Sequence, residues 1–391
     1  MKIEAVDFFY LAMPDVLDIG DGSQDTLLVR VAAGGYIGWG ECEAAPLVSI
    51  ASLVCPMSHS ACKPVGASLP GQTLERPEDI ARIHRLVREN SRDLLQTDHT
   101  LSGIDIALWD LLGKRYDEPV YRLLGDERAY PKTPYASLLF GDTPQATLEK
   151  AQDVRAKGFR AAKFGWGPFG RGRLQNDEEQ VMAARQGLGN DAILCIDAGT
   201  VWGEDVEAAA RRLNVLKECR VTWLEEPFHA GAFRAYRQLA ALSQAVKLAS
   251  GEGAHHEHTA QHMMDYAGIG YIQIDAGRIG GITAAKRVAD EAAARGVTFV
   301  NHTFKSHLAL SASLQPYIGL RDHVLCEYPA ELTPLAWELT DDHLLPDASG
   351  DIHLPERPGL GLNPNISALQ KYLVDAQIVV NGQVLYQTPR V

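Results

Sequence analysis

Cys195-Ile196-Asp197-Ala198-Gly199, Trp223-Leu224-Glu225-Glu226-Pro227 and Ser250-Gly251-Glu252-Gly253 decide how this chain is read. Each is a short apolar run that stops at an acid beside Gly or Pro, the form of a strand running into a turn. The acids at 197, 225 and 252 stand 28 and 27 residues apart, the length of one strand–helix repeat. Working outward, similar apolar runs occur at 135–140, 161–164, 193–196, 221–224, 247–250, 271–274, 298–300 and 323–326. Amphipathic stretches such as 146–157, 177–187, 206–216 and 284–294 lie between them. Repeats of this kind predict an α/β fold, a closed (β/α) barrel of the modified TIM type over 131–354, with strand ends converging on one face.

Residues 1–130 read differently. Alternation at 2–10, 26–33 and 36–41, with Gly34-Gly35 as a turn, predicts an antiparallel meander. Ile104, Ala107, Leu108, Leu111 and Leu112 recur on one helical face. This is an α+β capping domain, and the tail 355–391, β-rich near 377–386, is expected to pack back on it. The polar stretch 15–24 is expected to be a surface lid.

Composition excludes several functions. The formal net charge of −13 argues against a nucleic-acid or anionic-membrane partner and leaves a small molecule as the expected one. No apolar run has the length of a membrane span, and residues 1–7 lack the apolar core of a signal peptide. The six cysteines (42, 55, 62, 195, 219 and 326) are scattered without paired metal spacing, so reduced thiols and a cytoplasmic location are expected.

Asp197, Glu225 and Glu252 at three successive strand ends would repel one another strongly unless a cation lay between them. Oxygen-only ligands favour a hard ion such as Mg²⁺. Single acids in such turns commonly cap the next helix instead, but three in phase point to a metal site. Glu226 competes with Glu225, and Glu225 is preferred because the residue beside proline is displaced from the strand line. The next strand ends add Asp275 and His302, one repeat apart, where the acid can accept the imidazole N–H and raise its basicity. Glu327 ends the last strand and is placed to hydrogen-bond a developing enolate oxygen. Lys163 in Ala-Ala-Lys-Phe-Gly-Trp-Gly offers a cation to an anionic substrate. Trp166 either lines the pocket or is a buried structural tryptophan.

These residues resemble the enolase superfamily, in its mandelate racemase subgroup, over nearly the whole chain. Gly-Trp-Gly-Glu at 38–41 is similar to the subgroup's capping sheet, and Ala-Leu-Trp-Asp-Leu-Leu-Gly-Lys at 107–114 with Leu-Leu-Gly at 123–125 to the helix before its barrel. The ordered set Asp197, Glu225, Glu252, Asp275, His302 and Glu327 is similar to its barrel-end pattern. The resemblance implies Mg²⁺ on the first three, an Asp275–His302 acid–base pair and Glu327 supporting the enolate. It also implies specificity loops at 15–24 and 44–60 and a homo-oligomer. One departure matters. The subgroup commonly carries Lys-x-Lys on the second barrel strand, and here the run is Lys163-Phe164-Gly165. A racemase needs a base on each face of the α-carbon, whereas a syn dehydration can use one histidine twice. The expected activity is therefore dehydration of an acid sugar or small hydroxy-diacid to a 2-keto-3-deoxy acid. A racemase or epimerase with a base from elsewhere, such as Lys305, is the alternative, and a barrel that only binds its ligand is a third reading.

Overall fold

The computed structural model describes residues 1–42 and 45–391. The alternating N-terminal segments form β1 (Ile3–Ala12), β2 (Asp25–Ala33) and β3 (Tyr36–Cys42), an antiparallel sheet in that order. Three helices follow: α1 (Pro46–Val54), α2 (Pro77–Asn90) and α3 (Thr97–Tyr116). α3 is buried along most of its length because it has two partners, the cap sheet on one side and the barrel on the other. Gly38 and Gly40 explain how close the sheet comes. A Cβ at these positions would sit 2.0 Å from the carbonyl oxygen of Ala107 and 2.1 Å from that of Gly103. Asp110 of α3 accepts from Trp39 N at 2.8 Å and from Leu360 N at 2.9 Å, and pairs with Lys114 at 2.7 Å. The acid in the 107–114 run thus ties helix, sheet and tail together.

The barrel strands are β4 (Thr133–Leu139), β5 (Ala161–Gly165), β6 (Ile193–Asp197), β7 (Val221–Glu225), β8 (Lys247–Ser250), β9 (Tyr271–Ile274), β10 (Thr298–Asn301) and β11 (Leu325–Pro329). They form one eight-stranded parallel sheet in the order β10-β9-β8-β7-β6-β5-β4-β11. β10 and β11 are its two ends, so the barrel closes at a seam between them without a backbone ladder among the described residues. On the barrel axis Tyr135, Ala161, Cys195, Trp223, Ala249, Val300 and Leu325 pack into a separate buried cluster. Side chains repeat every two residues along a strand. The next inward position above this floor is therefore Lys163, Asp197, Glu225, His302 or Glu327.

Two expectations are corrected. The last strand begins at Leu325 rather than at 323 and runs to Pro329, which puts Glu327 inside the strand and not at its end. His323 is outside it because its Nδ1 accepts the Phe299 N–H at 2.9 Å, so its ring caps β10 instead of its backbone extending β11. The helix expected at 206–216 is two short helices, Val206–Ala210 and Leu213–Glu218.

The tail reaches the cap sheet. After the helix Ile366–Tyr372, Val374 N donates to Tyr10 O at 2.8 Å. A hairpin of β12 (Gln377–Val380) and β13 (Gln383–Gln387) follows, and Tyr386 OH donates to Phe8 O at 2.7 Å. No helix among the described residues is long and apolar enough to cross a membrane.

Candidate active site

The C-terminal ends of the barrel strands open into a cavity of about 580 Å³. Lys163, Asp197, Glu252, His302 and Glu327 line its base, and residues Ile19 to Gly22 of the 15–24 loop close over it. Of the other expected specificity loop, residue 44 lies outside the described residues, and none of 45–60 lines this cavity.

The base is a layer of buried charge. Lys163 Nζ contacts Glu225 Oε1 at 2.5 Å, Glu327 Oε1 at 2.8 Å and Asp197 Oδ2 at 3.8 Å. Trp223 Nε1 and Gln273 Nε2 donate to the other Glu225 oxygen at 3.0 and 2.7 Å. Glu252 reaches the layer by a different route. The inward position on β8 falls at Gly251, whose φ of +144° suits glycine, and a Cβ there would lie 2.5 Å from Gln273 O. The chain turns at that point and the following residue, Glu252, faces the cavity.

His302 sits between acids. Its Nδ1 is 2.7 Å from Asp275 Oδ2, and its Nε2 is 2.9 Å from Glu252 Oε2 and 3.9 Å from Glu327 Oε2. Asp275 Oδ1 accepts from Gly277 N at 2.6 Å, which fixes the carboxylate that orients the ring. Glu327 Oε2 accepts from Thr303 N at 2.7 Å. The expected acid–base and acidic residues are therefore brought into one layer beneath the mouth, Glu225 and Asp275 lying behind the cavity lining.

Electrostatics follows from burial and crowding. Burial, then the Glu225 charge, pushes Asp197 up to about 8. Burial also raises Glu225, against the pull of Lys163. Burial works against charge on Lys163, but Glu225 and Glu327 outweigh it and hold the ammonium well above its ordinary range. His302 is likewise raised, because Glu252, Glu327 and the Asp275 hydrogen bond overcome its burial. Glu252 is pulled down by His302 and Arg278 despite its burial. The layer holds more carboxylate than cation. Among the described residues no three His, Cys, Asp or Glu side chains stand together as a metal-holding group. In kind, the donors at Asp197, Glu225 and Glu252 nevertheless fit a hard divalent ion, since all are carboxylate oxygens in a crowded, electron-rich layer.

Several residues of the site were not singled out from sequence. Arg278 lines the cavity and pairs with Glu252 at 3.2 Å. Its position three residues after Asp275, in the same strand-end turn, was the available clue. Gln273 is the inward residue of β9, which strand alternation would have found. Glu226, weighed from sequence as the competitor of Glu225, is buried with φ of +40°, and its Oε1 has no partner. Burial, then Glu252 and Asp197, raises it well above the usual carboxylate range. Phe304 lies edge-on to His302 at 5.2 Å, and Lys150 pairs with Glu331 at 2.8 Å on the rim. Trp166, 40% exposed with φ of +57°, is a wall of the cavity and not a buried structural tryptophan. Lys305 does not line this cavity; its Nζ donates to Asp25 O at 2.5 Å.

Residues 146–368 match the model of the enolase C-terminal domain-like family, and 11–125 match the mandelate racemase / muconate lactonizing enzyme N-terminal domain. A D-galactarolactone cycloisomerase of Agrobacterium fabrum is 28% identical over 86% of this chain and 88% of its own. A D-gluconate dehydratase of Thermoproteus tenax is 28% identical over 92% of this chain and 72% of its own. An N-succinyl-L-Arg/Lys racemase of Bacillus cereus is 25% identical over 97% of this chain and 100% of its own. A solved structure described as a predicted mandelate racemase from Rhodobacter sphaeroides is 61% identical, covers 100% of both chains and superposes with a TM-score of 0.96.

Proposed function

The chain belongs to the enolase superfamily, in its mandelate racemase and muconate lactonizing enzyme group, and on that premise we propose that it dehydrates an acid sugar or small hydroxy-diacid to a 2-keto-3-deoxy acid. The observation that carries this reading is that the site is one-sided. The acid–base pair His302–Asp275 stands on one side, joined at 2.7 Å. Across the layer the second lysine of the subgroup is replaced by Gly165. A Cβ there would fall 2.7 Å from the Asp197 Cβ, so a longer side chain does not fit while Asp197 keeps its place. Lys163, held as an ammonium by Glu225 and Glu327, donates to the substrate carboxylate and does not take a proton.

Glu252 raises His302 through its Nε2 contact, so His302 acts as the base in its neutral form once that contact is released, taking the α-proton at Nε2 while its Nδ1–H stays on Asp275. The C–H electron pair moves into the substrate carboxylate as an enediolate. Abstraction requires that the 2.9 Å contact of Nε2 with Glu252 open first. The imidazolium then returns its proton to the β-hydroxyl on the same face, the C–O bond breaks and water leaves. The resulting enol gains a proton at C3 from solvent, gives up its C2 hydroxyl proton and becomes the keto acid. Glu327, whose Oε2 accepts from the Thr303 N–H, would hydrogen-bond the enediolate oxygen when it carries a proton. Mg²⁺ bound by Asp197, Glu225 and Glu252 would supply Lewis-acid stabilisation of the negative charge building on the substrate carboxylate.

The test is a panel of acid sugars and hydroxy-diacids with Mg²⁺, read as keto acid formed. A substrate should appear whose turnover falls about 10³-fold in His302→Asn, within the span typical of general acid–base groups. Solvent deuterium at the α-carbon of recovered substrate, with no keto acid from any panel member, would overturn dehydration in favour of epimerisation. The 25%-identical racemase relative keeps that second reading open to the same experiment.

A further inference from the structure

The seam of the barrel lies between the strands that carry His302 and Glu327. Every other neighbouring pair in the sheet is joined by backbone hydrogen bonds. At the seam a side chain takes their place. Asn301 Oδ1 accepts from Glu327 N at 2.9 Å, and Asn301 Nδ2 donates to Glu327 O at 3.3 Å. One carboxamide thus pairs with both backbone groups of Glu327, supplying the acceptor and the donor that a parallel strand would provide from two separate peptide groups. The carboxamide is itself held. Tyr317 OH is 2.8 Å from Asn301 Oδ1, and Asn301 Nδ2 also meets Ser313 Oγ at 3.0 Å. Asn301 and Tyr317 are both fully buried, so these bonds form without water competing for them.

The neighbours of His302 therefore grip Glu327 from both ends. Asn301 holds its backbone and Thr303 N holds its carboxylate at 2.7 Å. We propose that Asn301 is a positioning residue that fixes Glu327 against His302, with Tyr317 behind it, so that the seam and not a ladder sets the spacing of the two groups. The inference rests on the reading that His302 and Glu327 act on one substrate.

Two measurements test it. The first is amide hydrogen exchange across 325–329 in Asn301→Ala and in Tyr317→Phe, which keeps the carboxamide but removes the hydroxyl that meets both Asn301 Oδ1 and Leu325 O. Exchange should accelerate at this strand, by about tenfold or more in Asn301→Ala and less in Tyr317→Phe, while β5 to β8 stay protected. Unchanged protection in both variants would overturn the proposal. The second is a double-mutant cycle with Glu327→Gln on α-proton chemistry, read as keto acid formed or as deuterium entering recovered substrate. If Asn301 acts through Glu327, adding Asn301→Ala to Glu327→Gln should cost less than twofold, although Asn301→Ala alone costs about tenfold or more. Losses that multiply would assign Asn301 a general structural role and overturn the proposal. Should Asn301→Ala fail to fold, the same two readings on Tyr317→Phe decide. A wild-type protein without α-proton chemistry on any acid would instead sink the proposed function, and the exchange experiment would still judge the seam.

Discussion

The floor of the barrel and the layer directly above it are built on the same strands, two residues apart, and have opposite physics. The floor is Tyr135, Ala161, Cys195, Trp223, Ala249, Val300 and Leu325, closed to solvent and apolar. The layer above is Lys163, Asp197, Glu225, His302 and Glu327, equally buried and almost wholly ionisable. Burying apolar area stabilises a fold by about 25 cal/mol per Å². Burying carboxylates without sufficient cation destabilises it. The difference teaches that in this molecule the floor carries stability and the layer spends it on reactivity, with a single strand step between them.

The comparison breaks most sharply at Trp223. Its ring meets Tyr135 edge-on at 5.3 Å and Tyr271 at 4.8 Å, with none of its surface exposed. Trp223→Ala should cost about 3–5 kcal/mol in urea denaturation. A loss under about 1 kcal/mol would mean that the floor is not what holds the barrel. A second test asks whether buried charge is costly away from the mouth as well. Asp105 of α3 is 1% exposed, accepts from Thr283 N at 2.9 Å and leaves Oδ2 without a partner. Burial pushes it up to about 7, against about 3.9 in an unfolded chain. With the folded value raised, its contribution to stability is complete below about pH 4 and is lost as pH rises through about 7. Asp105→Asn cannot ionise, so its advantage over wild type should grow across that interval and level off at about 4 kcal/mol near pH 8. Urea midpoints at pH 5 and pH 8 measure it, and an advantage that shrinks with pH would contradict the argument. The smallest effect is expected at the cavity wall. Trp166→Ala should raise KM several-fold, about 1 kcal/mol of binding, and shift the urea midpoint little. A large stability loss there would make Trp166 part of the fold rather than of the pocket.

Much of this contrast is written in the sequence, because strand alternation and strand-end acids are local patterns. Asp197 and Glu225 can be placed from their neighbours alone, being the last residues of β6 and β7. The chain hides what depends on a change of backbone direction or on a partner far away. Glu252 faces inward only because the chain turns at Gly251, and Glu226 is turned aside by a positive φ. Glu327 falls within its strand because β11 goes on pairing with β4, far away in sequence, as far as Pro329. The seam is least legible of all. Asn301 reads as an ordinary polar residue before a histidine, and only the closed sheet shows that its carboxamide stands where a ladder is missing.

The contact of Gly38 and Gly40 with the backbone of α3 has a mechanical consequence. Two elements that meet backbone to backbone have no side chains between them to act as bearings, and the tail bolts the same helix through Asp110. The cap sheet and α3 therefore form one piece, and that piece meets the barrel where Asp105 accepts from Thr283 N and Trp109 donates to Thr283 Oγ1. Among the described cap residues only Ile19 to Gly22 of the 15–24 loop line the mouth, a hatch hung on that frame.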